Sequence, residues 1–161
     1  MSIAVYPGSF DPVTLGHLNI LKRASRIFDK VYVCVMVNSG KQPVLSLEQR
    51  LNYLRLCTGR FPNVVVESSD KLLVEYAQEK NAKVIVKGLR AISDFDWEFQ
   101  MALANKKIAP EVETMFLMAS QKYMYLSSSI TKEMARYGVD LSEFIPREII
   151  DDFINQIRSR R

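Results

Sequence analysis

Apolar positions along the chain fall into short runs separated by stretches of helical period. The run 3–6 reads as a strand, and Gly8 and Pro12 break it before a helix over about 16–28, where Leu21, Ala24 and Phe28 share one face. The run 31–37 is wholly apolar and rich in β-branched residues, as expected of a central strand covered on both faces of a parallel sheet. After a loop, Ser46 and Gln49 have capping-box spacing, and Leu47, Leu51 and Leu54 follow at i, i+4 and i+7, which predicts a second helix. A strand at 64–67, a helix over about 71–80, a strand at 84–86, a helix over about 93–107 and a strand at 114–118 continue the alternation. Ile130, Met134 and Tyr137 mark a further helix. Ile150, Phe153, Ile154 and Ile157 mark a last one, which Pro146 is placed to open.

Strands that alternate with helices pair in parallel through right-handed crossovers. The expected fold is therefore α/β: a three-layer, Rossmann-like single domain over 1–161, with a five-stranded parallel sheet and additional C-terminal helices. In such sheets ligands bind outside the carboxyl ends of the strands, so the loops to search are 7–16, 38–45, 87–93 and 119–128.

Composition narrows the field. With 48% apolar and 25% charged residues the chain has a globular mix. The apolar run at 31–37 is far short of the roughly 20 residues needed to cross a bilayer. Pro7, Asp11 and Pro12 interrupt the place where the apolar stretch of a secretory leader would lie, so neither a membrane span nor a leader is expected. The net charge of +4 suits anionic small molecules as well as nucleic acid. No basic and aromatic interleaving surrounds Phe95, Trp97, Phe99 and Met101, which are read as helix-packing residues. Arg158, Arg160 and Arg161 are read as a solvated terminus. Cys34 and Cys57 lack metal-site or disulfide spacing and fit a reducing cytoplasm. The single histidine, His17, excludes a site built on several imidazoles.

The first loop, Gly8-Ser-Phe-Asp-Pro-Val-Thr-Leu-Gly-His17, ends where a helix begins, and helix N-termini favour anions. Ser9 offers a hydroxyl and His17 a ring N–H; the alternative reading makes the glycines turn residues and His17 a surface residue. Lys41 in the second loop is either a phosphate ligand or a plain surface lysine. The third loop, Lys87-Gly-Leu-Arg90, puts two cations around a glycine directly after a strand, a pattern suited to polyphosphate. In the fourth, Leu126-Ser-Ser-Ser129 precedes a helix and forms either an anion nest or a helix cap supplied by Ser128 or Ser129. Walker A and complete GxGxxG motifs are both missing from the sequence.

Taken together, Tyr6-Pro-Gly-Ser-Phe-Asp-Pro-Val-Thr-Leu-Gly-His17, Lys87-Gly-Leu-Arg-Ala91 and Leu126-Ser-Ser-Ser129 closely resemble the bacterial phosphopantetheine adenylyltransferases, through nearly the whole chain. Thr14-Leu-Gly-His17 is similar to the (H/T)xGH motif of the wider nucleotidyltransferase superfamily. The resemblance implies transfer of AMP from ATP to 4′-phosphopantetheine, giving dephospho-coenzyme A and pyrophosphate in the penultimate step of coenzyme A synthesis. It also implies a homohexamer, with coenzyme A as a feedback ligand; the modest net charge and short apolar runs lead to the expectation of no nucleic-acid or membrane partner.

Carried over by position, His17 would bind the ATP phosphates and stabilise the transition state, with Lys41 and Arg90 as further catalytic cations. Ser9 would touch both substrates and Phe10 the nucleotide through its backbone. Gly88, Leu89, Arg90, Glu98 and Tyr123, Met124, Tyr125, Leu126, Ser127, Ser128 and Ser129 would hold ATP. Lys41, Leu73 and Lys87 would hold phosphopantetheine. Ser9, Leu126 and Lys87 stand where the family more often has Thr, Ile and Arg, and a lysine cannot make the bidentate phosphate contact of a guanidinium. Since the attacking phosphate is already an anion, no general base or covalent intermediate is required, and catalysis reduces to positioning and electrostatics. Mg²⁺ is expected to arrive with ATP. The rival readings are another small nucleotidyltransferase, acting on nicotinamide mononucleotide or a polyol phosphate, and a nucleotide-binding regulatory module without turnover.

Overall fold

The computed structural model describes residues 1–37, Gly40 and 42–160. Strands and helices alternate as β1 (Ile3–Gly8), α1 (Leu15–Ile27), β2 (Lys30–Met36), α2 (Leu47–Thr58), β3 (Val64–Ser69), α3 (Leu73–Glu79), β4 (Val84–Leu89), α4 (Ile92–Ile108) and β5 (Glu113–Met118). Two further helices, α5 (Ser128–Arg136) and α6 (Ile150–Arg158), complete the chain. The predicted capping box at the head of α2 forms, with Ser46 and Gln49 each bonding the other's backbone N–H. Pro146 opens a short 3₁₀ turn, Arg147–Ile149, that runs directly into α6.

All strand pairings are parallel, in the order β3-β2-β1-β4-β5. The sheet is the predicted five-stranded one, but its central strand is β1 rather than β2. Residues 4–7 of β1 are fully buried although the strand is short and contains Pro7. A run of apolar residues reports cover on both faces, which an off-centre interior strand also has.

The pleat sends alternate residues to two cores. Ala4, Tyr6, Val31, Val33 and Val35 face a large cluster with α1, α2, α5 and α6, whereas Val5, Cys34 and Ile85 face a smaller one with α3 and Ala109. Both cysteines are free and buried, and burial raises their thiols to about 11 at Cys34 and about 12 at Cys57.

The expected packing role of α4 needs correction. Phe95 stacks on Phe99 at 5.4 Å and meets Phe116 edge-on, yet Trp97 is 65% exposed and Phe99, Leu103 and Ile108 are also exposed. Helical period alone cannot say what covers an apolar face. No helix among the described residues is long and apolar enough to cross a membrane.

Candidate active site

The chain runs β1 to β3 toward one edge of the sheet and then returns to lay β4 and β5 on the other side of β1. This places the topological switch between β1 and β4, where open α/β sheets bind ligands. A cavity of about 620 Å³ opens there, lined from all four searched loops. Gly88 at the end of β4 permits the close seat of α1, since a Cβ there would meet Ile20 at 3.1 Å.

The first loop is fixed by its own hydrogen bonds. Thr14 is the N-cap of α1; its Oγ1 accepts the His17 N–H at 3.2 Å, and its own N–H donates to His17 Nδ1 at 3.0 Å. His17 therefore stands at the third helical position and completes a capping box in the place usually taken by Glu or Gln. Because Nδ1 accepts a backbone N–H, the ring proton lies on Nε2. Burial, with the Arg90 charge second, lowers the His17 pKa to about 4, so the ring is neutral at physiological pH. Phe10 packs edge-on against it at 5.0 Å.

The helix N-terminus offers less than the sequence suggests. Leu15 N–H is taken by the Phe144 carbonyl and His17 N–H by Thr14, which leaves Gly16 N–H without a protein acceptor among the described residues. At the head of α5 the cap is Ser127, whose Oγ accepts from Ile130 N–H, not Ser128 or Ser129. The Ser128 hydroxyl instead donates to the Pro12 carbonyl at 2.8 Å and ties this loop to the first. The N–H groups of Ser128 and Ser129 have no protein acceptor among the described residues, and both residues line the cavity.

Across the cavity the two predicted cations carry carboxylate partners from α4. Arg90 makes a two-pronged pair with Asp94, at 3.0 and 3.2 Å, and its Nη1 donates to the Leu126 carbonyl at 2.9 Å. Lys87 Nζ lies 3.3 Å from Glu98. One turn of helix separates Asp94 from Glu98, so a single face of α4 supplies both carboxylates.

Thus Ser9, Phe10, His17, Lys87, Gly88, Arg90, Glu98, Tyr123 and Leu126 to Ser129 meet in one cavity. Leu73, Leu89, Met124 and Tyr125 do not line it. Leu73 packs against the smaller core, Leu89 is buried, Met124 is exposed, and Tyr125 points its hydroxyl at the Glu143 carbonyl. Lys41 lies outside the described residues.

Sequence reasoning missed Asp11, Arg50 and Lys132, which also line the cavity. Asp11 accepts the N–H groups of Val44 and Leu45 at 2.9 and 2.8 Å and pairs with Lys132 at 3.1 Å. Arg50 is buried and donates to the Ser9 carbonyl at 3.1 Å. No local signal separates Arg50 from the exposed Arg55 on the same helix.

The cytidylyltransferase-like family model matches residues 5–134. The phosphopantetheine adenylyltransferase of Caldanaerobacter subterraneus subsp. tengcongensis is 52% identical over 158 residues, covering 98% of this chain and 99% of the relative. That of Clostridium tetani is 50% identical over 160 residues, covering 99% and 100%. Among solved structures, a Plasmodium falciparum nicotinic acid mononucleotide adenylyltransferase complexed with NaAD superposes with a TM-score of 0.68 at 16% identity, covering 99% of this chain and 95% of that one. This last likeness concerns the fold alone. Full-length identity at this level, with the cavity built from the expected loops, places the chain in the phosphopantetheine adenylyltransferase family.

Proposed function

We propose that the chain transfers AMP from ATP to 4′-phosphopantetheine, releasing pyrophosphate and forming dephospho-coenzyme A. The observation that carries this reading is identity of 50% and 52% to relatives of that name over almost the full chain. The cavity chemistry supports it: neutral and cationic donors face a shared space, as expected where two phosphorylated molecules are brought in line.

His17, held neutral with its proton on Nε2, donates a hydrogen bond to charge that builds on the α-phosphate during attack. The N–H groups of Gly16, Ser128 and Ser129 and the guanidinium of Arg90 are assigned to the ATP phosphates, and Lys87, with Lys41, to the acceptor phosphate. Attack of the acceptor phosphate oxygen forms the new P–O bond as the bond to pyrophosphate breaks, so no enzyme group needs to take up a proton.

Mg²⁺ is assigned to the triphosphate, since no cluster of three or more His, Cys, Asp or Glu among the described residues is placed to hold it. Assembly as a homohexamer gives the exposed apolar residues of α4, and Met115 and Met118 on the edge strand β5, a surface to bury against. Coenzyme A, which contains the product, is assigned to the same cavity as a feedback ligand, and the protein to the cytoplasm.

The test is pyrophosphate release with Mg²⁺, offering ATP, CTP and GTP separately with phosphopantetheine, and nicotinamide mononucleotide as control acceptor. Release that requires both ATP and phosphopantetheine is expected. Release only with another pair would assign a different nucleotidyl transfer, and ATP binding without release would make the chain a regulatory module.

A further inference from the structure

Asp11 and Arg50 are the two charged residues buried among the described ones, and both lie in the cavity wall. They are satisfied very differently. Asp11 has two backbone N–H donors and the Lys132 ammonium. Arg50 keeps one bond, from Nη1 to the Ser9 carbonyl, while its buried Nε has no partner among the described residues. A guanidinium held out of water with an unpaired donor is unfavourable unless its position serves something else.

What it holds is the peptide between Ser9 and Phe10. Phe10 sits at φ +47°, in the left-handed region where a bulky residue needs outside support. That peptide is trans, so its C=O and N–H point in opposite directions. Anchoring the Ser9 carbonyl on Arg50 therefore turns the Phe10 N–H away from α2. The Phe10 N–H has no protein acceptor among the described residues, although the Phe10 side chain is almost wholly buried.

We propose that Arg50 is a positioning residue: its bond to the Ser9 carbonyl orients the peptide whose N–H, at Phe10, the family resemblance already assigns to the nucleotide. The inference rests on the adenylyltransferase reading above. It makes the first loop an anion site assembled from α2, an element that carries none of the residues the sequence nominated. Arg50 itself need not touch the ligand; its charge and reach act through one peptide plane.

The experiment measures Mg²⁺–ATP binding by calorimetry, together with both KM values, in the native protein, Arg50→Met and Arg50→Lys. Arg50→Met is expected to weaken ATP binding and raise the KM for ATP roughly tenfold, with the KM for phosphopantetheine within twofold, and Arg50→Lys is expected to recover most of the loss. Native protein selectively labelled with ¹⁵N-phenylalanine provides a second readout that needs no folded variant. Of its eight phenylalanine amides, that of Phe10, identified by its absence in Phe10→Leu, is expected to shift strongly on adding Mg²⁺–ATP. Unchanged ATP affinity in folded Arg50→Met, or a Phe10 amide that stays still while ATP binds, overturns this proposal and leaves the adenylyltransferase reading standing. Failure of the native protein to bind ATP would overturn both.

Discussion

The two walls of the cavity hold their functional groups by different means. On the β1 side, Thr14, His17 and Asp11 are fixed by bonds to backbone, and Arg50 by a bond to the Ser9 carbonyl. On the β4 side, Lys87 is held by an ion pair to a side chain of α4, and Arg90 by a similar pair supplemented by one backbone carbonyl. Backbone contacts cannot be exchanged without unfolding the loop, whereas a partly exposed ion pair is weakly held and can trade its carboxylate for a phosphate. One wall is thus set by backbone contacts, and the other carries cations neutralised by carboxylates, which on the proposed reading a phosphate would displace. Such a division suits a reaction that needs fixed donors on one side and exchangeable cations on the other.

The strongest challenge to this contrast is removal of the imidazole. His17→Ala is expected to lower kcat by ~10²–10³, roughly 3–4 kcal/mol, with a smaller change in ATP affinity, because the neutral imidazole is assigned to charge that builds only in the transition state. Steady-state kinetics with unchanged kcat would remove His17 from the chemistry.

The exchangeable wall makes a different prediction. Lys87→Ala is expected to raise the KM for phosphopantetheine about tenfold and that for ATP much less, while Lys87→Arg is tolerated. Equal rises in both KM values would show that Lys87 does not belong to the acceptor.

Thr14→Ala probes how the preset wall is held. Loss of the cap is expected to cost about 1 kcal/mol in urea unfolding. It should also lower kcat, since His17 loses the hydroxyl that holds its backbone, and a stability loss with unaltered kcat would separate the cap from catalysis.

The last test concerns pH. The His17 pKa is lowered from its ordinary 6.5 to about 4, so between these values the unfolded chain binds more protons than the folded one. The His17 contribution to stability is therefore complete above about pH 6.5 and is lost as pH falls toward 4. Comparison of native protein with His17→Gln should show a steeper decline for the native protein across that window, and parallel curves would argue against a buried neutral ring.

Much of the β1 wall was legible because its residues are contiguous: Gly8, Ser9, Phe10, Thr14 and His17 lie in one loop and helix start. The position of His17 in the cap was also readable in principle, since Thr14 precedes it by the capping-box interval. The pattern is hidden because His replaces the usual Glu or Gln. Tyr125 and Met124 were carried along with their neighbours, yet a turn before α5 directs Tyr125 toward Glu143 and leaves Met124 exposed. Leu73 is similar: its helix packs on the opposite face of the sheet from α1, and Leu73 joins the smaller core.

The sequence by itself determined the alternation of strands and helices, hence the parallel sheet and the loops at its carboxyl edge, because period and turn chemistry are local properties. It also determined which cations and hydroxyls those loops could offer. Only the tertiary structure decided that β4 lies beside β1, that Asp94 and Glu98 neutralise the cations of the third loop, and that Arg50 reaches the Ser9 carbonyl from α2. These are pairings between distant segments, fixed by how helices pack on the sheet, and a residue's period says which face it occupies but not what that face will meet.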